Sequence, residues 1–145
     1  AAIKVFVMSM PIAMRVECVG PDGHAGGRHI LCSHSLPSPG QMARFDPTIL
    51  SRDLEERDYE PLKGSAYNMV WGRSHDAELL EDLVERWGIN LFIIGHEKAE
   101  TGVRIVPPNA VILNSDHERG VYLPFDLSNP PRIEEIPGLV VPLGS

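Results

Sequence analysis

The stretch Ile89-Asn90-Leu91-Phe92-Ile93-Ile94-Gly95-His96-Glu97 decides how the rest of the chain is read. Its four bulky apolar residues, Leu91, Phe92, Ile93 and Ile94, predict a buried strand, and Gly95 ends that run abruptly before a histidine. His96 is therefore expected at a strand's C-terminal tip. In layered α/β folds that edge collects ligands and metals, because the loops leaving it carry polar groups on a rigid frame. His29-Ile30-Leu31-Cys32-Ser33-His34, followed by Ser35-Leu36-Pro37-Ser38-Pro39, has the same form and predicts a second strand-end histidine, His34.

Outward from this stretch the chain alternates. Just upstream lies the clearest helix, residues 76–87, in which Leu79, Leu80, Leu83, Val84 and Trp87 recur at helical spacing; Ser74 or Asp76 caps its start and Gly88 stops it. Tyr67-Asn68-Met69-Val70-Trp71, closed by Gly72, reads as a strand, and Asp46-Pro47 as the cap and first residue of a short helix. Nearer the N-terminus, residues 3–10 read as the end of a helix stopped by Pro11. Residues 13–19 and 28–32 read as a hairpin joined by the turn formers of residues 20–27, which sets Cys18 near Cys32. Downstream, residues 103–106 and 110–113 flank the turn Pro107-Pro108-Asn109, and residues 120–127 offer one more strand, placed at an edge by Pro124. The acid-rich run at residues 52–58 reads as a solvated face, and residues 128–145 as a proline-rich tail over the surface. The pattern predicts an α/β (α+β) fold with mixed strands and flanking helices, its domain spanning residues 1–127.

Composition narrows the function. With 145 residues, 43% hydrophobic and 23% charged, the chain is long enough for one domain with a sizeable core. A formal net charge of -7 argues against duplex nucleic acid as a partner, since phosphate backbones demand a basic face, and suits a metal site better. No apolar run is long enough to cross a bilayer. Cys18 and Cys32 are the only cysteines and lack Cys-x-x-Cys spacing, which points away from a thiolate zinc site or disulfide framework and toward a reducing, cytoplasmic setting. The opening Ala1-Ala2-Ile3-Lys4-Val5-Phe6, without an initiator Met, is expected of a piece of something longer.

The order of these pieces, namely a strand ending in His34 and Ser35-Leu36-Pro37-Ser38-Pro39, the Val70-Trp71 segment, a helix, a strand ending in Gly95-His96, and Val111-Ile112-Leu113-Asn114-Ser115, resembles the C-terminal half of the calcineurin-like metallophosphoesterases, above all their phosphoprotein-phosphatase branch. The resemblance covers residues 5–127. It implies half of a two-sheet sandwich, two divalent metal ions (Mn, Fe or Zn) in the intact protein, and hydrolysis of a phosphorylated substrate, a phosphoprotein or a small phosphoester. His34 and His96 match the histidines of the fourth and fifth family motifs, both ligands of the same ion. Arg73 matches a phosphate-binding arginine, whose planar fork of donors suits the task.

The departures matter as much. The family's Asp-x-His, Gly-Asp-x-x-Asp-Arg and Gly-Asn-His-Asp/Glu motifs, which supply the other metal's ligands, the bridging aspartate and the general acid, are not found in their proper context. Asp22-Gly23-His24 spells the first but lies in the hairpin turn. Position 98 is Lys98, where many relatives have a second histidine. The missing N-terminal half of the domain is thus an expected partner. The rival reading is a non-catalytic interaction domain or inactive fragment of the same ancestry. Arg73 is equally read as a surface arginine or a helix-start partner to Asp76; Asp116 and His117 as a polar turn or the site mouth; His24, His29 and His75 as turn or surface histidines; and Glu97 and Glu100 as solvated carboxylates.

Overall fold

Successive side chains of a strand point to opposite faces, so a strand as apolar as Leu91–Ile94 needs cover on both sides. A computed structural model, which describes residues 2–20, 22, 23, 25–114 and 118–144, provides that cover. Helix α1 (Ala2–Met8) precedes β1 (Ala13–Val19) and β2 (Ala25–Ser33). Three 3-10 turns lead to α2 (Ser65–Trp71) and α3 (Ala77–Trp87), followed by β3 (Leu91–Ile94), β4 (Val103–Val106), β5 (Ala110–Leu113) and β6 (Val121–Tyr122). A last 3-10 segment (Ile133–Gly138) leads to β7 (Val141–Pro142). The main sheet has the order β1-β2-β3-β5-β4, with β2, β3 and β5 parallel and β1 and β4 antiparallel at the edges. β6 and β7 form a small sheet of their own, and the chain is of the α+β class.

On one face Leu31, Phe92, Ile94 and Ile112 pack with Met69 of α2 and Leu80 and Leu83 of α3. On the other, Ile30, Leu91 and Val111 pack with Cys18 and Ile136, ringed by Phe125, Ile133 and Val140. α3 forms where its periodicity predicts: the Asp76 carboxylate accepts from the Leu79 amide at 2.9 Å, and Gly88 closes the helix in the left-handed region at φ 63°. Asp46 likewise caps the 3-10 turn Pro47–Leu50 by accepting from the Thr48 amide.

Five expectations are corrected. Residues 67–71 are helical, because Ser65, Ala66, Asn68 and Met69 share one face of α2 and bury it; that burial outweighs the strand preference of Tyr67, Val70 and Trp71. Cys18 does not face Cys32: the partner of Cys32 across the hairpin is Met14, four residues away. Burial raises both thiols' pKa values. Residues 128–145 are not a surface tail, since Ile136 is fully buried and β7 pairs with β6, and of residues 120–127 only Val121 and Tyr122 are strand. The run at 52–58 is not simply solvated: Arg52 forks between the carboxylates of Asp46 and Asp58, with Nη contacts of 2.7 Å to each, and Asp58 is buried. No helix of the described residues is long and apolar enough to cross a membrane.

Two predictions follow from this packing. Truncating the fully buried Phe92 in the variant Phe92→Ala removes the ring that joins sheet to helices and is expected to cost about 3–5 kcal/mol, read from the urea midpoint. The second concerns acid. Bonds from Thr48, then Arg52, hold the Asp46 carboxyl down at about 2 against an ordinary 3.8, and Arg52 lowers Asp58 as well. A lowered carboxylate stabilises the fold above its unfolded value and loses that stabilisation as pH falls. Arg52→Met is therefore expected to be less stable at neutral pH, and to lose less further stability than the parent chain between about pH 4 and 2 in acid-titrated unfolding curves.

Candidate metal centre

The parallel register of β2 and β3 sets Ser33 opposite Ile94, so the chain leaves both strands at the same end of the sheet. His34 is the first residue beyond β2 and His96 the second beyond β3; the Gly95 amide donates to the His34 carbonyl at 3.1 Å. Their imidazoles meet there, with His34 Nε2 2.9 Å from His96 Nδ1 and ring centroids 4.8 Å apart. The bend that delivers His96 is made by the histidine itself, at φ 65°, while Gly95 is not in the left-handed region. A Cβ at Gly95 would meet only ordinary contacts, nearest 3.7 Å, so the glycine marks the strand's end without being sterically required there.

Three loops converge on this pair. Trp71, at the end of α2, meets the His96 ring edge-on at 5.4 Å. The following residue, Gly72, passes so close to the His34 loop that a Cβ would lie 1.7 Å from the Leu36 carbonyl oxygen, which explains the glycine physically. Ser35 bonds the same crossing from the other side, its hydroxyl donating to the Gly72 carbonyl at 2.7 Å. A pocket of about 250 Å³ opens over His34, His96, Lys98 and Asn114.

Desolvation in this setting, then the charges of Arg73 and His34, lower the pKa of His96, which favours the neutral, ligating imidazole. Its Nε2 is buried without a partner, leaving Nδ1 as the nitrogen turned to His34. The spacing suits a divalent ion: two nitrogens each about 2.0–2.1 Å from one ion and at right angles to it lie about 2.9 Å apart. Among the described residues no group of three or more His, Cys, Asp or Glu side chains is placed to hold an ion, so the pair offers two coordination positions and no more.

The other sequence-predicted residues fall differently. Arg73 lies in the loop between α2 and α3, exposed, with its amide donating to Ser38 Oγ at 2.8 Å. Asp76 directs its carboxylate to the Leu79 amide, as the cap of α3. His24, Asp116 and His117 lie outside the described residues. Glu100 is exposed as expected, and His29 is tied to the α3–β3 turn, its Nδ1 3.2 Å from the Gly88 carbonyl oxygen. Two expectations are corrected. His75 is no surface residue, since its ring is wholly buried; Glu97, largely buried too, takes the Ser74 amide at 3.1 Å and an Arg104 guanidinium nitrogen at 2.6 Å. Their one sequence signal was proximity, Glu97 directly after His96 and His75 directly before a helix cap.

Comparison with protein families, curated proteins and solved structures finds no match to this chain.

Trp71 provides a reporter. Added Co2+ is expected to quench its fluorescence with an affinity far below the ~10–16 kcal/mol of a complete structural zinc site. His34→Ala and His96→Ala should each abolish the response, and Trp71→Phe should remove the signal, leaving only the distant Trp87. Quenching that survives both histidine changes would place the ion elsewhere.

Proposed function

We propose that His34 and His96 are two ligands of one divalent transition-metal ion (Mn, Fe or Zn) in a metal-dependent phosphoester hydrolase, and that the remaining ligands come from polypeptide beyond these residues. The observation that carries this reading is the 2.9 Å approach of His34 Nε2 to His96 Nδ1 at the shared end of two parallel strands. Neutral imidazoles held by a rigid sheet suit borderline divalent metals, and the resemblance set out above supplies the second ion, the phosphorylated substrate and the reaction class. When bound, such ions supply Lewis-acid polarisation of the phosphoryl group.

The chain's own residues do the rest of what can be assigned to them. His34 and His96 hold their side of the centre, and the lowered pKa of His96 reduces competition from protons there. Arg73, whose cationic head acts on His96, orients phosphate and balances charge that builds on its oxygens during transfer. Trp71, at the end of α2, packs edge-on against the His96 ring. Among the described residues neither a bridging carboxylate nor an acid for the leaving oxygen is assigned.

The purified chain is accordingly expected to release no p-nitrophenol from p-nitrophenyl phosphate above the buffer rate, even in excess Mn2+. Metal-stimulated turnover that disappears in His34→Ala or His96→Ala would overturn the division of the site between this chain and another segment.

A further inference from the structure

One buried side chain near the histidine pair has no part in the function proposed above. The His75 ring is completely buried, in the loop between α2 and α3, and its two nitrogens point to two different loops. Nε2 lies 3.0 Å from the carbonyl oxygen of Leu36, two residues beyond His34. A carbonyl can only accept, so Nε2 is the donor. Nδ1 lies 3.0 Å from Oε1 of Glu97, the residue after His96, in a polar contact that is not aligned as a good hydrogen bond. Glu97 is itself fixed by the Ser74 amide and by Arg104 on β4.

Both chain segments on either side of this contact are conformationally expensive. Ser74, next to His75, has φ 61° and His96, next to Glu97, has φ 65°. Non-glycine residues hold that region only where their surroundings over-determine it. The carboxylate between them binds the Ser74 amide directly and faces the imidazole that reaches the His34 loop.

We propose that His75 is a positioning residue: its bond to the Leu36 carbonyl and the packing of its Nδ1 edge against Glu97 set the separation and ring orientation of His34 and His96. The claim rests on the metal reading of that pair for its purpose, but its geometry is independent of any ion. Residues that orient metal ligands from behind change affinity without touching the metal, by about 10–100-fold when removed.

The test uses the full chain labelled with 15N-histidine, in wild type, His75→Ala, His75→Gln and Glu97→Gln, at a temperature well below each unfolding midpoint. In metal-free protein, long-range 1H–15N spectra of the imidazoles are expected to show His34 Nε2 and His96 Nδ1 sharing a hydrogen bond. That signature should vanish in His75→Ala and return in part in His75→Gln, whose amide still donates toward Leu36. Co2+ affinity should fall about 10–100-fold in His75→Ala while the backbone amide spectrum away from the three loops is retained. A role limited to stability would lower the unfolding midpoint and leave the ring-nitrogen shifts of the folded protein unchanged, and that result overturns the proposal. Should His75→Ala not fold, Glu97→Gln keeps the shape, removes the charge, and decides by the same shifts. If wild-type Co2+ binding proves indifferent to His34→Ala and His96→Ala, the metal reading fails, and the metal-free ring-nitrogen spectra still decide whether His75 positions the pair.

Discussion

Parallel pairing of β2 with β3, from Ile30 opposite Leu91 to Ser33 opposite Ile94, is the constraint that the site depends on. Parallel neighbours leave the sheet at the same end, about 4.8 Å apart, so a histidine just past each strand arrives beside the other. Parallel strands also cannot be joined by a tight turn. Residues 34–90 must therefore form a crossover, and its packing on the sheet, through Met69, Leu80 and Leu83 onto Phe92, is what brings Trp71, Arg73 and His75 back to the same edge. One set of backbone hydrogen bonds thus determines both the histidine pair and the elements around it.

The edge carries strain, and the surroundings hold it. Left-handed backbone at Ser74 and His96 costs on the order of 1 kcal/mol or more at each residue. Glu97 offsets that cost by accepting from the Ser74 amide and pairing with Arg104, while the Ser35 hydroxyl and the Gly72 crossing lock the third loop. The polar groups there are concentrated where the backbone is least relaxed, which is the usual arrangement where a protein must hold side chains in one geometry. Elsewhere the same chemistry serves the fold alone: the Arg52 fork between Asp46 and Asp58 ties the 3-10 turns of the crossover together, away from the histidines.

The sheet's second face shows why the C-terminal segment cannot be loose. Ile30, Leu91 and Val111 would otherwise present a continuous apolar surface, and Ile136 with Phe125, Ile133 and Val140 removes it from water. The prolines of that segment limit it to a 3-10 segment and a two-residue strand without preventing burial, and the short β6–β7 pairing fixes the end of the chain back onto the body.

Local chemistry was enough to locate α3, β3, the β4–β5 hairpin and both strand-end histidines. Helical periodicity with a cap at Asp76 and a stop at Gly88, and an apolar run cut off before His96, act over a few residues and need no distant partner. The helical state of residues 65–71 was not legible, because Tyr67, Val70 and Trp71 favour a strand in isolation and only the buried face against the sheet reverses that preference. Nor were the buried roles of His75, Glu97 and Asp58. A charged or titratable residue reads as exposed until its partner is known: Leu36 lies 39 residues from His75, and even the nearer partners, Arg104 seven residues from Glu97 and Arg52 six from Asp58, meet them only through the folded path of the chain. Sequence alone therefore determined which histidines stand at strand ends; tertiary structure decided that they touch, because their separation of 62 residues is closed only by parallel strand pairing.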